Sequence, residues 1–138
     1  MSHYTETEVE VNDLDCFLDA LVEASPNREF TREMIEVSDE PQNLIGFQGD
    51  TRKQKANIII RRKNIGSLSN DVGFMLKDGK AVAFVSDYDS RTYSESWSKS
   101  WKQSYAKNVA TKAAKKAGYR VKQTKVDGKI KLTCVKSW

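Results

Sequence analysis

Between residues 14 and 22, Leu14, Phe17, Leu18, Leu21 and Val22 recur at spacings of three and four, with Asp15, Asp19 and Glu23 between them. That period predicts an amphipathic helix with one apolar stripe. Asn12 or Asp13 stands where an N-cap belongs, and Ser25-Pro26-Asn27 ends the element. Before it, Tyr4 to Val11 alternates, Val9 and Val11 against glutamates, as a half-buried strand does. Residues 28–43 are ambiguous: Glu33-Met34-Ile35-Glu36-Val37 reads as a short strand and Asp39-Glu40-Pro41 as a turn. Leu44-Ile45-Gly46-Phe47 is a second short apolar run, followed by a polar loop, Gly49 to Lys53.

The strongest strand signal is Ala56-Asn57-Ile58-Ile59-Ile60. Gly66 to Asp71 is a loop. Val72 to Leu76 and Ala81 to Val85 flank Asp78-Gly79, a hairpin signature. After a polar connection, Ser86 to Ser96, a long helix is expected from Trp97 to Ala117, with Tyr105, Ala106, Val109, Ala110, Ala113 and Ala117 on its buried face and Gly118 as its terminator. A second hairpin turns at Asp127-Gly128, where Val121, Ile130, Leu132 and Cys134 alternate with polar residues, mostly lysines. The order of elements predicts one α+β domain over residues 1–138, a mainly antiparallel sheet with two helices packed on one face.

Charge adds a gradient to this picture. Residues 1–50 carry 2 basic and 13 acidic groups, whereas residues 97–138 carry 12 basic groups and 1 acidic. Either the two ends neutralise each other inside the fold, or the basic third faces solvent and attracts a polyanion or an acidic partner. With 38% hydrophobic and 30% charged residues, the chain reads as globular and soluble. No apolar run approaches the ~20 residues of a membrane span. The opening MSHYTETEVE has neither the basic nor the apolar region of a secretory signal. Cys16 and Cys134 match no metal spacing and read as buried thiols in a reducing, cytoplasmic setting.

Several short motifs occur in a shared order. These are Met1-Ser2-His3-Tyr4, Gly46-Phe47-Gln48-Gly49 before Ala56 to Ile60, and Val72-Gly73-Phe74 before a hairpin ending at Asp87. Tyr105, Val109, Ala113, Lys116, Gly118 and Tyr119 follow, then Asp127 to Leu132 and a closing Trp138. The chain resembles the hypothetical chloroplast reading frame thirty-five family, a domain of unknown function in plastids, cyanobacteria, other bacteria and some bacteriophages. The resemblance implies a fold and no catalytic residues. Trp97 to Lys102 departs from the family's pattern, so a function built there belongs to this member.

No phosphate loop, dinucleotide fingerprint or nucleophilic serine motif is present. No cofactor or metal is implied, and the lone histidine, His3, is expected to pack or hydrogen-bond near the first strand. Asp71, Asp87 and Asp89 flank the first hairpin and would have to converge to serve a metal-dependent nuclease. The better candidates for chemistry are cations and rings. Arg61, Arg62 and Lys63 extend a strand, while Trp97, Trp101, Lys102 and Lys116 combine aromatic and basic groups on the last helix. Such a set suits a phosphate backbone with stacked bases, or a small anionic nucleotide held as by a sponge. The function expected is that of a small non-enzymatic accessory protein binding an acidic protein or a nucleic acid through its basic C-terminal third, with no membrane partner. An exposed edge strand would suit a dimer.

Overall fold

The computed structural model describes residues 3–26 and 30–136. Met1, Ser2, Asn27 and Trp138, which entered the sequence reading, lie outside them. The described elements are β1 (Tyr4–Glu10), α1 (Leu14–Glu23), β2 (Ile35–Ile45), β3 (Thr51–Ile60), β4 (Val72–Lys77), β5 (Lys80–Ser86), α2 (Glu95–Lys116), β6 (Tyr119–Val126) and β7 (Lys129–Lys136). β1 to β5 form a five-stranded antiparallel sheet in the order β1-β5-β4-β3-β2, and β6 and β7 pair only with each other. The α+β reading holds.

Alternation along the central strands decides which face meets the helices. Ile58, Ile60, Val72, Phe74, Ala81, Ala83 and Val85 project to one side. There they meet Phe17, Leu18 and Leu21 of α1 and Trp97 and Trp101 of α2. Asp13 caps α1, its Oδ1 accepting from Cys16 N at 3.0 Å. Tyr105 ties the two helices together, its hydroxyl accepting from the backbone N–H of Asn12 and Asp13 at 2.8 and 3.1 Å.

The other sheet face carries a smaller cluster, Leu44, Ala56, Ile59 and Phe84. The β2–β3 ribbon curls toward it. The Arg52 guanidinium, near the start of β3, lies 5.3 Å from the ring of Tyr4 on the opposite edge strand. A bulge supplies the bend. Asp39-Glu40-Pro41 is not a chain reversal but an irregular stretch inside β2, where register shifts between Val37 and Gln42. Pro41 is tolerated because β2 is an edge strand. Asn57, buried next to the bulge, donates to the carbonyls of Ser38 and Asp39 and accepts from Leu76 N. Likewise Thr51 to Lys53, expected in a loop, already belong to β3.

Helix α2 departs from expectation in which face it buries. Trp97, Trp101 and Tyr105, one turn apart, face the core, while Ala106, Val109, Ala110, Ala113 and Ala117 are exposed. Large rings remove more apolar surface from water than alanines do. The helix also outruns the sheet, being 22 residues, about 33 Å, against the six residues of β4, about 20 Å. Past Tyr105 it is held by polar contacts to α1 and by the β6–β7 ribbon. Gly118, at φ +89°, ends it and turns the chain back.

Candidate functional site

The basic triplet after β3 is mostly committed to the fold. Arg61 Nη1 donates to Asp71 Oδ2 at 2.8 Å, and its Nε and Nη2 clasp the Glu36 carboxylate at 3.0 and 3.2 Å. Asp71 is fully buried. Its Oδ2 also accepts from Ile45 N, and its Oδ1 accepts from Arg62 N at 2.7 Å. Burial alone would lower the Arg61 pKa, but Glu36 and Asp71 outweigh it and hold the guanidinium above its ordinary value. Arg62 donates to the carbonyls of Ser69 and Ser67, clamping the loop before β4. Lys63 is exposed and borders a shallow cleft with Arg61, Arg62, Gln42 and Thr51. Arg61 and Arg62 are therefore staples before they are ligand contacts.

The tryptophans are core residues. Trp97 is 4% exposed and Trp101 fully buried. Trp101 meets Phe17 and Phe74 edge-on with ring centres 5.3 and 5.7 Å away, and Trp97 meets Tyr93 at 4.9 Å. Neither ring is open to stack a base. Lys102 lies over Trp101, its Nζ 5.8 Å from the ring centre. The spacing of four that continues from Tyr93 through Trp97 and Trp101 to Tyr105 is the core stripe of an amphipathic helix.

The three aspartates do not make a metal centre. Asp71 is spent on Arg61 and backbone amides, while Asp89 accepts from Asn70 N and Ser86 Oγ. Asp87 is exposed. Among the described residues no group of three or more His, Cys, Asp or Glu is placed to hold a metal ion. His3 is exposed just before β1, where its carbonyl accepts from Asp87 N. Cys16 is buried, and burial pushes its thiol pKa up, whereas Cys134 is exposed rather than buried; both are free. Cys134 lies opposite Val121 near the end of the β6–β7 ribbon, and it is exposed there.

The charge gradient is neutralised in one place and not in another. On α2, Lys107 pairs with Glu23, Lys112 with Asp13 at 2.6 Å and Lys99 with Glu95 at 4.0 Å. The acidic α1 thus neutralises the side of α2 that it packs against. Among the described residues, no such ion pair reaches the outer face of the β6–β7 ribbon. Register places Arg120, Lys122, Lys129 and Lys131 on one face together with Thr124 and Thr133, all exposed. None of the four cations forms an ion pair with a described residue. The opposite face, with Val121, Ile130 and Leu132 half-buried, packs back along α2, where Gln103 Nε2 donates to Gly128 O and Gln123 borders a cleft with Lys107 and Lys115. The turn needs Asp127-Gly128 because both residues have positive φ, 51° and 76°. Lys116, exposed at the end of α2, adds a further cation beside the ribbon.

The fold and this surface define a small α+β protein with a basic, two-stranded appendage. Residues 32–133 match the family described as a protein of unknown function, DUF1257, and the chain belongs to that family. No curated protein and no solved structure matches it. No helix among the described residues is long and apolar enough to cross a membrane.

Proposed function

We propose that the protein is a non-enzymatic, cytoplasmic binding protein that holds the phosphate backbone of a nucleic acid on the outer face of its β6–β7 ribbon. The observation that carries this reading is the row of Arg120, Lys122, Lys129 and Lys131, four exposed cations with no described acid paired to them. Each strand is eight residues long, about 26 Å, and a two-stranded ribbon is narrow enough to enter the major groove. Cations and the Thr124 and Thr133 hydroxyls position a backbone without reading base edges, so binding is indifferent to sequence. The membership of DUF1257 is consistent with the finer kinship to the hypothetical chloroplast reading frame thirty-five proteins that motif order suggests.

Fluorescence anisotropy with a labelled duplex across a salt series tests the reading. Four phosphate contacts predict that log K falls with log salt at a slope of about −3 to −4. Lys122→Glu with Lys131→Glu should weaken binding at every duplex sequence alike and flatten the slope. A salt-independent signal, or polyglutamate binding as tightly as DNA, would overturn the nucleic-acid assignment; the latter would support the acidic-protein alternative.

A further inference from the structure

Asp89 is only 4% exposed. Its Oδ2 is saturated by Asn70 N at 2.9 Å and Ser86 Oγ at 2.7 Å. Its Oδ1 makes no hydrogen bond among the described residues, and no described cation pairs with the carboxylate. A buried carboxylate is ordinarily paired, because an uncompensated charge in the interior is costly. Asp89 also lines a cleft of about 680 Å³ between the loop 64–69 and the turn 87–93. That volume falls within the range of small-molecule sites.

The rest of the lining narrows the chemistry. Leu68 and Tyr88 stand exposed at 56% and 52%, giving the cleft apolar and aromatic surface at its mouth. Asp87 and Arg91, both exposed, add one carboxylate and one guanidinium, so the buried Asp89 decides the net sign. Of the two carboxylate oxygens, Oδ1 alone lacks a hydrogen bond from a described residue. That favours a single-point ammonium contact over the flat, two-point contact of a guanidinium. The walls are preset: Arg62 clamps the loop through the Ser67 and Ser69 carbonyls, and Asn70 Nδ2 bonds Ser86 Oγ.

From this geometry we propose that the cleft binds a small organic amine, its ammonium on Asp89 Oδ1 and its carbon frame against Tyr88 and Leu68. This site is separate from the ribbon and stands or falls without it. Asp89→Asn is a close probe, since the amide oxygen can keep the bonds from Asn70 and Ser86 while an NH₂ replaces the open oxygen. Isothermal titration with tyramine and with putrescine should show binding, and p-cresol, which lacks the ammonium, should not bind. Asp89→Asn should weaken the amine at least about tenfold with folding retained, and Tyr88→Ala should weaken it several-fold. No binding of either amine at millimolar concentration, or affinity unchanged in Asp89→Asn, would overturn the site. Should Asp89→Asn fail to fold, Tyr88→Ala at its exposed position carries the test, and unchanged affinity there overturns it.

Discussion

Asp71 takes the Arg61 guanidinium at 2.8 Å from a position with no exposure to solvent, and the same carboxylate accepts from the amides of Ile45 and Arg62. One side chain thereby joins the end of β2, the end of β3 and the entry to β4. Removing it leaves the Ile45 and Arg62 N–H groups without their acceptor and takes from Arg61 the buried one of its two carboxylate partners, Glu36 remaining. Asp71→Ala should therefore cost about 3–5 kcal/mol, the range for breaking a buried pair from one side. Urea unfolding measures it, and a loss below about 1 kcal/mol would mean the pair contributes no more than a surface one.

Trp101 lies among Phe17, Phe74 and Trp97 with no exposed surface. Trp101→Ala should cost about 3–5 kcal/mol through lost burial and the cavity left behind. In a Trp138→Phe variant, whose indoles are Trp97 and Trp101 alone, tryptophan fluorescence should be blue-shifted, weakly quenched by iodide, and unmoved by nucleic acid. A quenching response on adding duplex would put an indole at the interface and contradict the core assignment.

Much of this fold is legible along the chain because local patterns and tertiary packing agree there. The stripe of α1, the Asp-Gly hairpins at residues 78–79 and 127–128, and the run Ala56 to Ile60 each carry a periodicity or turn signature that burial then satisfies. The errors arise where a long-range partner overrides a local cue. Asp39-Glu40-Pro41 has turn composition, yet Asn57 supplies the hydrogen bonds that keep it in an edge strand. Arg61 and Arg62 look like free cations until the burial of Asp71, ten residues from Arg61, is known. The outer face of β6–β7 was visible as alternating lysines, but its isolation from the acidic α1 depends on how far α2 outruns the sheet, and no local pattern records that. Asp89 had its residue type to offer; the cleft beside it comes from two segments brought together.

Gly73 sits in β4 where a Cβ would meet Ala56 Cβ and Leu44 Cδ2, each at 2.7 Å. Both contacts are side chains of fully buried residues, so neither can swing into solvent. Gly73→Ala should destabilise by about 1–3 kcal/mol, the ordinary cost of overpacking a well-filled core. Thermal unfolding of the variant checks this, with Gly118→Ala as a contrast: a Cβ there meets nothing within 4 Å, and its cost comes from φ +89° alone. Equal stability of Gly73→Ala and the parent would show that the second sheet face is looser than its contacts imply.

The contact between Asp13 and Lys112 sets a pH dependence whose sign can be worked out. The Lys112 ammonium, and after it the Cys16 amide, hold the Asp13 carboxyl down from an ordinary 3.8 to about 2. The folded state thus binds this proton less readily than the unfolded chain. Its stabilising effect is complete above the ordinary value and disappears as the pH falls through about 2. Lys112→Met removes the first cause and leaves the helix cap to Cys16 intact. The Asp13 midpoint, followed by carboxyl NMR, should rise toward 3.8 in the variant. The melting temperature of the parent should exceed that of Lys112→Met at neutral pH, by an amount that shrinks as the solution is acidified and as salt is added, since the pair is exposed to screening. A gap that stays constant to the acid limit would place the role of Lys112 in packing rather than in charge.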